Sequence, residues 1–424
     1  MLSLDTIDIT DEQKYAEQGY PWREWDLLRR EAPVFWYRRP GFEPFWALTR
    51  HKDMAWVSRH PELFSSSQRV SLNSFDVADM FARDREQRAA LLGHDPAEAQ
   101  SLTWMDPPVH HQVRQLMSPA FMPKAMAALE ERFNAEAAVL VTEFLGLVDE
   151  RGSADVANQL AAKMPVTAIC ELLGVPAEDR EKLYLWTVGT MSRSDGTSAQ
   201  DTFMRNVGEI MGYLTALVQQ RMADGGSGGT DVVSRLAAAT VRDRKLPLST
   251  LLNQTSELLF AGNGSTRNVI AGGIRALLEH PGELRKLAED PGLLDGAVEE
   301  ILRWTSVAIH MARTCVQDTE IGGRLIRAGE TVAMFFPSAN RDEDVFEDPY
   351  RFDITRPRRT HFAFGAHGAH FCLGSNLAKV QLRALLRAVV PVLPSLELDG
   401  EPTVVAPYFA LAEYQRLRVR RSGR

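Results

Sequence analysis

The stretch that decides the reading is His361–Ala384, HFAFGAHGAHFCLGSNLAKVQLRA. Cys372 sits in a loop of Gly and other small residues (Gly365, Ala366, Gly368, Ala369, Gly374). It directly precedes an apolar pattern that predicts an amphipathic helix from about Asn376 to Val390. The free N–H groups and partial positive charge of a helix N-terminus lower a thiol pKa, so this placement predicts a thiol pushed toward thiolate, a nucleophile or a metal ligand. Backbone without Cβ atoms can also fold tightly beside a flat ligand and aim N–H groups at sulfur, which tunes a metal-bound thiolate. Two plainer readings stand beside this one. A cysteine before a helix is commonly a small buried residue, and His367, His370 and Cys372 could belong to a zinc site. Against zinc, Cys170 and Cys315 are remote in sequence and neither lies in a Cys-x-x-Cys pair.

Phe364–Gly374, FGAHGAHFCLG, resembles the cysteine loop of the cytochrome P450 family, the haem-thiolate monooxygenases. Phe364 stands eight residues before Cys372, one more than is usual in the family. That spacing resembles a bacterial subgroup that oxidises sterols and other lipids. His370, Cys372 and Gly374 match without adjustment. The resemblance makes Cys372 the axial ligand of haem iron, where thiolate pushes electron density onto the metal and favours O–O cleavage.

Four further stretches carry chemistry. In Trp104–Lys124, WMDPPVHHQVRQLMSPAFMPK, Asp106, Pro107 and Pro108 make a helix start, and His110 and Arg114 then fall four apart on one face. A cationic pair at that spacing can grip a carboxylate, although a solvated helix face is the plainer reading. D-P-P-x-H-x-x-x-R resembles the propionate-binding helix of the family, which implies that His110 and Arg114 hold haem propionates together with Arg313 and His370. Residues 249–281 read as one long helix, yet contain Gly262, Gly264, Gly272 and Gly273, each costing about 1 kcal/mol against Ala. Such a helix is expected to approach something flat. Ser265 or Thr266 can bond back to the carbonyl four residues earlier, bending the helix and leaving a polar notch.

AGNGSTRN, Ala261–Asn268, resembles the oxygen-binding helix of the family, so Ser265 and Thr266 are the catalytic candidates. Ala261, Phe364 and Gly374 are carried over as cofactor contacts. The family usually has an acid followed by Thr where this sequence has Gly264 and Ser265. Without the carboxylate, a water chain, Thr266 or a substrate hydroxyl is expected to substitute, or the reaction differs from plain hydroxylation. Glu300 and Arg303 in AVEEILRW form a spacing that on a surface helix is worth under about 1 kcal/mol. In the family E-x-x-R joins a later arginine in a buried network, and Arg356 is the matching residue. Val307, Ala308, Ile309 and Phe409 are candidates to line the substrate pocket, with ordinary core packing the competing reading.

Length alone, 424 residues, sets a prior of roughly three domains. One domain over 1–424 is expected instead, because apolar helical patterns resume on both sides of the one flexible-looking tract, Asp224–Thr230. Its expected fold class is mainly α with a small β-sheet region, the triangular helical prism of the cytochrome P450 fold. The β-rich parts fall at about 30–60 and 305–360, the helical core at about 104–304 and 372–392. Near the start, a helix is expected to end before Pro33, followed by paired strands in VFWYRR and PFWALTR. By resemblance residues 69–103 cap the substrate pocket, and SRSDGTSAQD (192–201) reads as a mobile loop over its entrance.

A net charge of -8 argues against a nucleic-acid binder. Three cysteines imply a reducing compartment without a disulfide framework. The acidic start MLSLDTIDITDEQKYAEQG lacks the basic and apolar regions of a signal peptide, and no 18-residue apolar run spans a membrane. A cytoplasmic monomer without a membrane anchor is the expectation. Nothing in the chain resembles a flavin or iron–sulfur domain. The resemblance therefore implies haem b, O2 as co-substrate, and electrons from NAD(P)H through an external ferredoxin reductase and ferredoxin. Arg114, Lys124, Lys379, Arg383 and Arg387 are candidates for a basic face toward that ferredoxin. The expected substrate is a small but bulky apolar molecule of sterol, terpenoid or polyketide type. Two alternatives are a biosynthetic tailoring enzyme performing desaturation, coupling or rearrangement, and a haem-binding protein without oxygenase activity.

Overall fold

A computed structural model describes residues 2–73, 75, 86, 100–191, 197–227, 229–405 and 411–423. Phe409, most of the 69–103 stretch and half of the 192–201 stretch lie outside these residues.

The larger hydrophobic core is helical. It is built from Pro123–Arg151, Lys163–Leu172, Thr197–Ala223, Leu248–Glu279, Leu294–Thr305 and Ser375–Val389. Ser375–Val389 lies along Pro123–Arg151 and also touches Leu248–Glu279 and Leu294–Thr305. It buries Leu377, Leu382, Leu385, Leu386 and Val389, an apolar stripe at helical spacing that anchors the loop before it. Among the described residues no helix is long and apolar enough to cross a membrane.

The second core lies under a five-stranded sheet in the order Val34–Tyr37, Phe45–Leu48, Thr331–Phe335, His310–Cys315, Phe64–Ser65. Its pairs are antiparallel except Phe45–Leu48 with Thr331–Phe335, which is parallel. The helix Trp22–Glu31 in this region stops before Pro33, where the residue preceding proline is pushed out of the α region. Register pairs Arg313 with Val332 in the sheet interior, so the strand presents Arg313 from a rigid support.

The long helix spans Leu248–Glu279, close to its expected bounds. Three of its glycines serve packing, which corrects the expectation that they face a flat ligand. A Cβ at Gly272 would lie 2.7 Å from Thr305 Cγ2, and one at Gly273 would lie 2.7 Å from Ile301 Cγ2. These two positions let the helix Leu294–Thr305 approach closely. Gly262 faces Ile169, with 3.4 Å available.

Candidate active site

The cysteine loop is held by three unusual backbone positions. The 3-10 turn Phe362–Phe364 ends on Gly365 (φ 77°), followed by Ala366 (φ 44°) and Gly368 (φ 85°). A Cβ at Gly368 would sit 1.7 Å from Ser58 O, so the loop rides on the end of the helix His51–Arg59 where only glycine fits. Cys372 N donates to Phe364 O at 3.0 Å and closes the loop.

Cys372 is solvent-accessible as a residue, yet protein crowds its sulfur enough that desolvation raises the thiol pKa. The Gly374 N–H, Arg114 and the Ser375 N–H pull the other way and do not prevail. The free thiol is therefore not pushed toward thiolate, contrary to the expectation from helix position alone. The helix end is weaker here than burial. A metal cation bound at the sulfur reverses that balance, because a coordinating thiol is deprotonated.

Four basic side chains from three separate elements converge on one another beside the cysteine loop. His110 and Arg114 come from the helix Val109–Met117, Arg313 from the strand His310–Cys315, and His370 from the cysteine loop. The rings of His110 and His370 lie 4.3 Å apart. Arg114 Nη2 donates to Phe371 O at 2.7 Å, and His370 Nε2 meets Ser66 Oγ at 3.0 Å. His110 is fully buried, and neither of its ring nitrogens has a hydrogen-bond partner among the described residues. Burial, reinforced by Arg114 and His111, pushes His110 down to about 4. Burial and Arg313 push His370 down to about 2. Burial takes Arg313 to about 10, with Asp106 opposing. Asp106 acts on His110 and Arg313, but its carboxylate accepts from Ser66 N at 2.7 Å and from the Ser65 hydroxyl. The cluster is thus short of negative charge, and its donors suit carboxylates.

On the long helix it is Ser265, not Thr266, whose hydroxyl bonds back, to Ala261 O at 2.7 Å. Thr266 is buried, while Phe260 and Ala261 are exposed. Asn268 Nδ2 makes a second back-bond to Gly264 O at 2.8 Å. Arg267, on another face, binds Ala157 O, Asn158 Oδ1 and Tyr414 O and ties the helix to its surroundings.

Behind the loop, Arg303 meets both oxygens of Glu300 at 2.7 and 2.8 Å, and Arg356 Nε lies 3.3 Å from Glu300. Asn340, absent from the sequence reading, completes this network. Its Oδ1 accepts from Phe362 N at 2.6 Å, its Nδ2 donates to Ser306 Oγ at 2.7 Å, and its carbonyl accepts from Arg303 at 2.8 Å. Sequence spacing could not single it out, because all three partners are distant in the chain.

The pocket candidates are placed less distinctively. Val307 is buried in the helical core and Ile309 in the sheet core. Half-buried Ala308 bridges to Leu411. The proposed basic face is largely self-neutralised. Lys379 pairs with Glu299 at 2.7 Å, Arg383 with Asp295 at 2.9 Å and Arg387 with Glu130 at 2.8 Å. Arg114 is turned inward to Phe371, and Lys124 is exposed.

A family model described as cytochrome P450 matches residues 77–391. The chain belongs to the cytochrome P450 family. It is a haem monooxygenase, an oxidoreductase that uses O2 and reducing equivalents from a partner. It is similar to the methyl-branched lipid omega-hydroxylase of Mycobacterium tuberculosis, at 34% identity over 90% of this chain and 87% of that protein. It is also similar to the steroid C26-monooxygenase of Rhodococcus jostii, at 34% identity over 93% and 81%. Among solved structures, a Mycobacterium marinum cytochrome P450 in complex with pseudoionone covers 99% of both chains with a TM-score of 0.83 and 31% identity. The residues present fit haem. Cys372, exposed as a residue and with the Gly374 and Ser375 N–H groups directed at its sulfur, suits iron, and the imidazole of His110, without a partner among the described residues, suits two propionates together with Arg114, Arg313 and His370.

Proposed function

We propose that the chain binds haem b through Cys372 and oxidises a bulky apolar substrate of sterol, terpenoid or polyketide type, drawing electrons from NAD(P)H through a ferredoxin reductase and a ferredoxin. The observation that carries this reading is the convergence of His110, Arg114, Arg313 and His370 beside the cysteine loop, with the buried His110 lacking a partner among the described residues. Bound there, haem supplies the iron at which O2 is reduced and split. Cys372 donates electron density through its sulfur, and the N–H groups of Gly374 and Ser375 temper that donation. His110, Arg114, Arg313 and His370 would hold the propionates, with Arg114 and Arg313 supplying the positive charge and the two imidazoles offering hydrogen bonds. Phe364 and Ala261 would be among the residues that contact the cofactor, as the family resemblance implies.

Ser265 keeps its hydroxyl hydrogen on Ala261 O, so its lone pairs face outward as acceptors. With glycine at 264, protons reach the oxygen side through water, Thr266 or a substrate hydroxyl. Substrate class is supported by relatives named for a methyl-branched lipid and a steroid, and by the pseudoionone-bound neighbour. The exposed Phe260 and Ala261 supply an apolar wall of matching character. A ferredoxin docking on the cysteine side would compete with Glu299, Asp295 and Glu130 for the basic residues they now pair.

Gly264 favours a second reading, a tailoring oxidation such as desaturation or coupling, since the usual acid is missing. The test is a library screen for spin-state shifts, followed by turnover with a surrogate ferredoxin chain and product analysis. Substrate-dependent consumption of reduced nicotinamide with a product heavier by one oxygen supports the first reading. A product lacking added oxygen supports the second, and no consumption with any spin-shifting ligand refutes both.

A further inference from the structure

The long helix Leu248–Glu279 grips the segment leading into the His110 helix with two side chains one turn apart. Gln254 is buried, and its amide spans two backbone groups: Nε2 donates to Gln100 O at 3.0 Å and Oε1 accepts from Leu102 N at 2.9 Å. Glu257 takes the alternate residues. Its Oε1 accepts from the Ser101 hydroxyl at 2.9 Å, and its Oε2 accepts from Thr103 N at 3.5 Å. Leu102–Trp104 is a single 3-10 turn with no cap from its own N-cap side chain, so its leading N–H groups have Gln254 and Glu257 as their acceptors.

The same short segment is tied at its other end. Asp106 accepts from Ser66 N, and Ser66 Oγ meets His370 of the cysteine loop. Residues 100–106 therefore run as a strut from the long helix to the cysteine side, and His110 follows one turn later. Burying a carboxyl here carries a desolvation cost, visible in the raised pKa of Glu257. An apolar residue would fill the same space without that cost, so what the carboxyl adds is direction: it accepts only where donors stand. Glu257 also lies seven residues before Gly264, on the same helix face, with Phe260 and Ala261 open between them.

We propose that Gln254 and Glu257 are positioning residues that clasp residues 100–103 and thereby set the separation between the oxygen-side helix and the His110 helix, on which haem seating depends. The proposal rests on the haem reading given above for its consequence, while the clasp itself is measurable without it. Hydrogen exchange of the holoprotein reads the Leu102 and Thr103 amides directly, and transfer of haem to a scavenging apoglobin reads retention. Glu257→Ala is expected to speed exchange at these amides by about tenfold or more, the loss of one charge-assisted hydrogen bond. Haem loss should accelerate several-fold, with exchange in Ser375–Val389 and the thermal midpoint unchanged. Gln254→Ala should act alike at Leu102. Glu257→Gln keeps an acceptor for Ser101 and Thr103 and should recover most of both effects.

Unchanged exchange at Leu102 and Thr103 in Glu257→Ala would overturn the clasp, as would an acceleration spread evenly over the chain. Faster local exchange with unaltered haem loss would overturn the link to haem seating. Wild-type protein that holds no haem would refute the haem reading and that link with it, leaving the clasp to be judged on exchange alone.

Discussion

Arg303 is the side chain whose removal the structure prices most clearly. It is 1% exposed and its partner Glu300 is 3% exposed. Its guanidinium makes two bonds to Glu300 and others to Asn340 O at 2.8 Å, Pro349 O at 2.9 Å and Arg351 O at 3.3 Å. Arg303→Met takes a donor from three carbonyls and leaves the buried Glu300 carboxylate with Asp353 N, at 2.9 Å, and Arg356 in reach. Breaking one side of a buried ion pair costs about 3–5 kcal/mol, against a typical total stability of about 5–15 kcal/mol. Arg303→Lys should cost less, about 2 kcal/mol, because an ammonium has three donors and no planar fork. Removing both charges, Glu300→Gln with Arg303→Met, should cost less than the two single changes summed, since no lone charge is left buried. Urea unfolding of the holoprotein, followed by its helical circular dichroism, measures all four proteins. An Arg303→Met variant within about 1 kcal/mol of wild type, or a strictly additive double variant, would refute the view that this network holds the ground behind the cysteine loop.

Gly368→Ala places a Cβ 1.7 Å from Ser58 O at a φ of +85°, so the purified variant should retain little haem absorbance; Gly365→Ala, with its nearest atom at 3.9 Å, should keep more. Equal haem content in the two would contradict the loop's seating on the helix His51–Arg59. Ser265→Ala removes the hydroxyl that bonds Ala261 O and should raise peroxide released per nicotinamide consumed; unaltered coupling would show that protons arrive without this residue. Burial pushes the Glu299 carboxyl up, but hydrogen bonds from His361 and Lys379 outweigh it and hold the group at about 2, below its ordinary 4.5. A depressed carboxyl pKa contributes stability that is complete above about pH 4.5 and fades as pH falls toward 2. Glu299→Gln should therefore cost on the order of 2 kcal/mol at neutral pH and flatten the acid limb of unfolding; an acid limb as steep as that of wild type would contradict the assignment.

What could be read from the chain and what could not divides along sequence distance. The cytochrome P450 fold and the pairing of VFWYRR with PFWALTR were legible because each rests on a local pattern: a helix start, an E-x-x-R spacing, a loop of small residues before a helix. Where position in space decides, the sequence was silent or misleading. Asn340 joins Phe362, Ser306 and Arg303, and Gln254 reaches Leu102, all across intervals that no periodicity encodes. Gly272 and Gly273 looked like ligand positions but answer to Thr305 and Ile301 of a neighbouring helix. The thiol pKa of Cys372 was misjudged for a related reason: a helix end can be recognised in a sequence, whereas the crowding that desolvates the sulfur cannot. Likewise, Lys379, Arg383 and Arg387 read as a basic face until the acids beside them are located.

The central claim is a bond between the Cys372 sulfur and haem iron, and the reduced carbon monoxide difference spectrum tests it most directly. Wild-type protein should show the absorbance band from which the family takes its name, and Cys372→Ala should lose it while Cys170→Ala and Cys315→Ala keep it. A band that survives in Cys372→Ala, or that vanishes only when one of the two buried cysteines is replaced, would contradict the account.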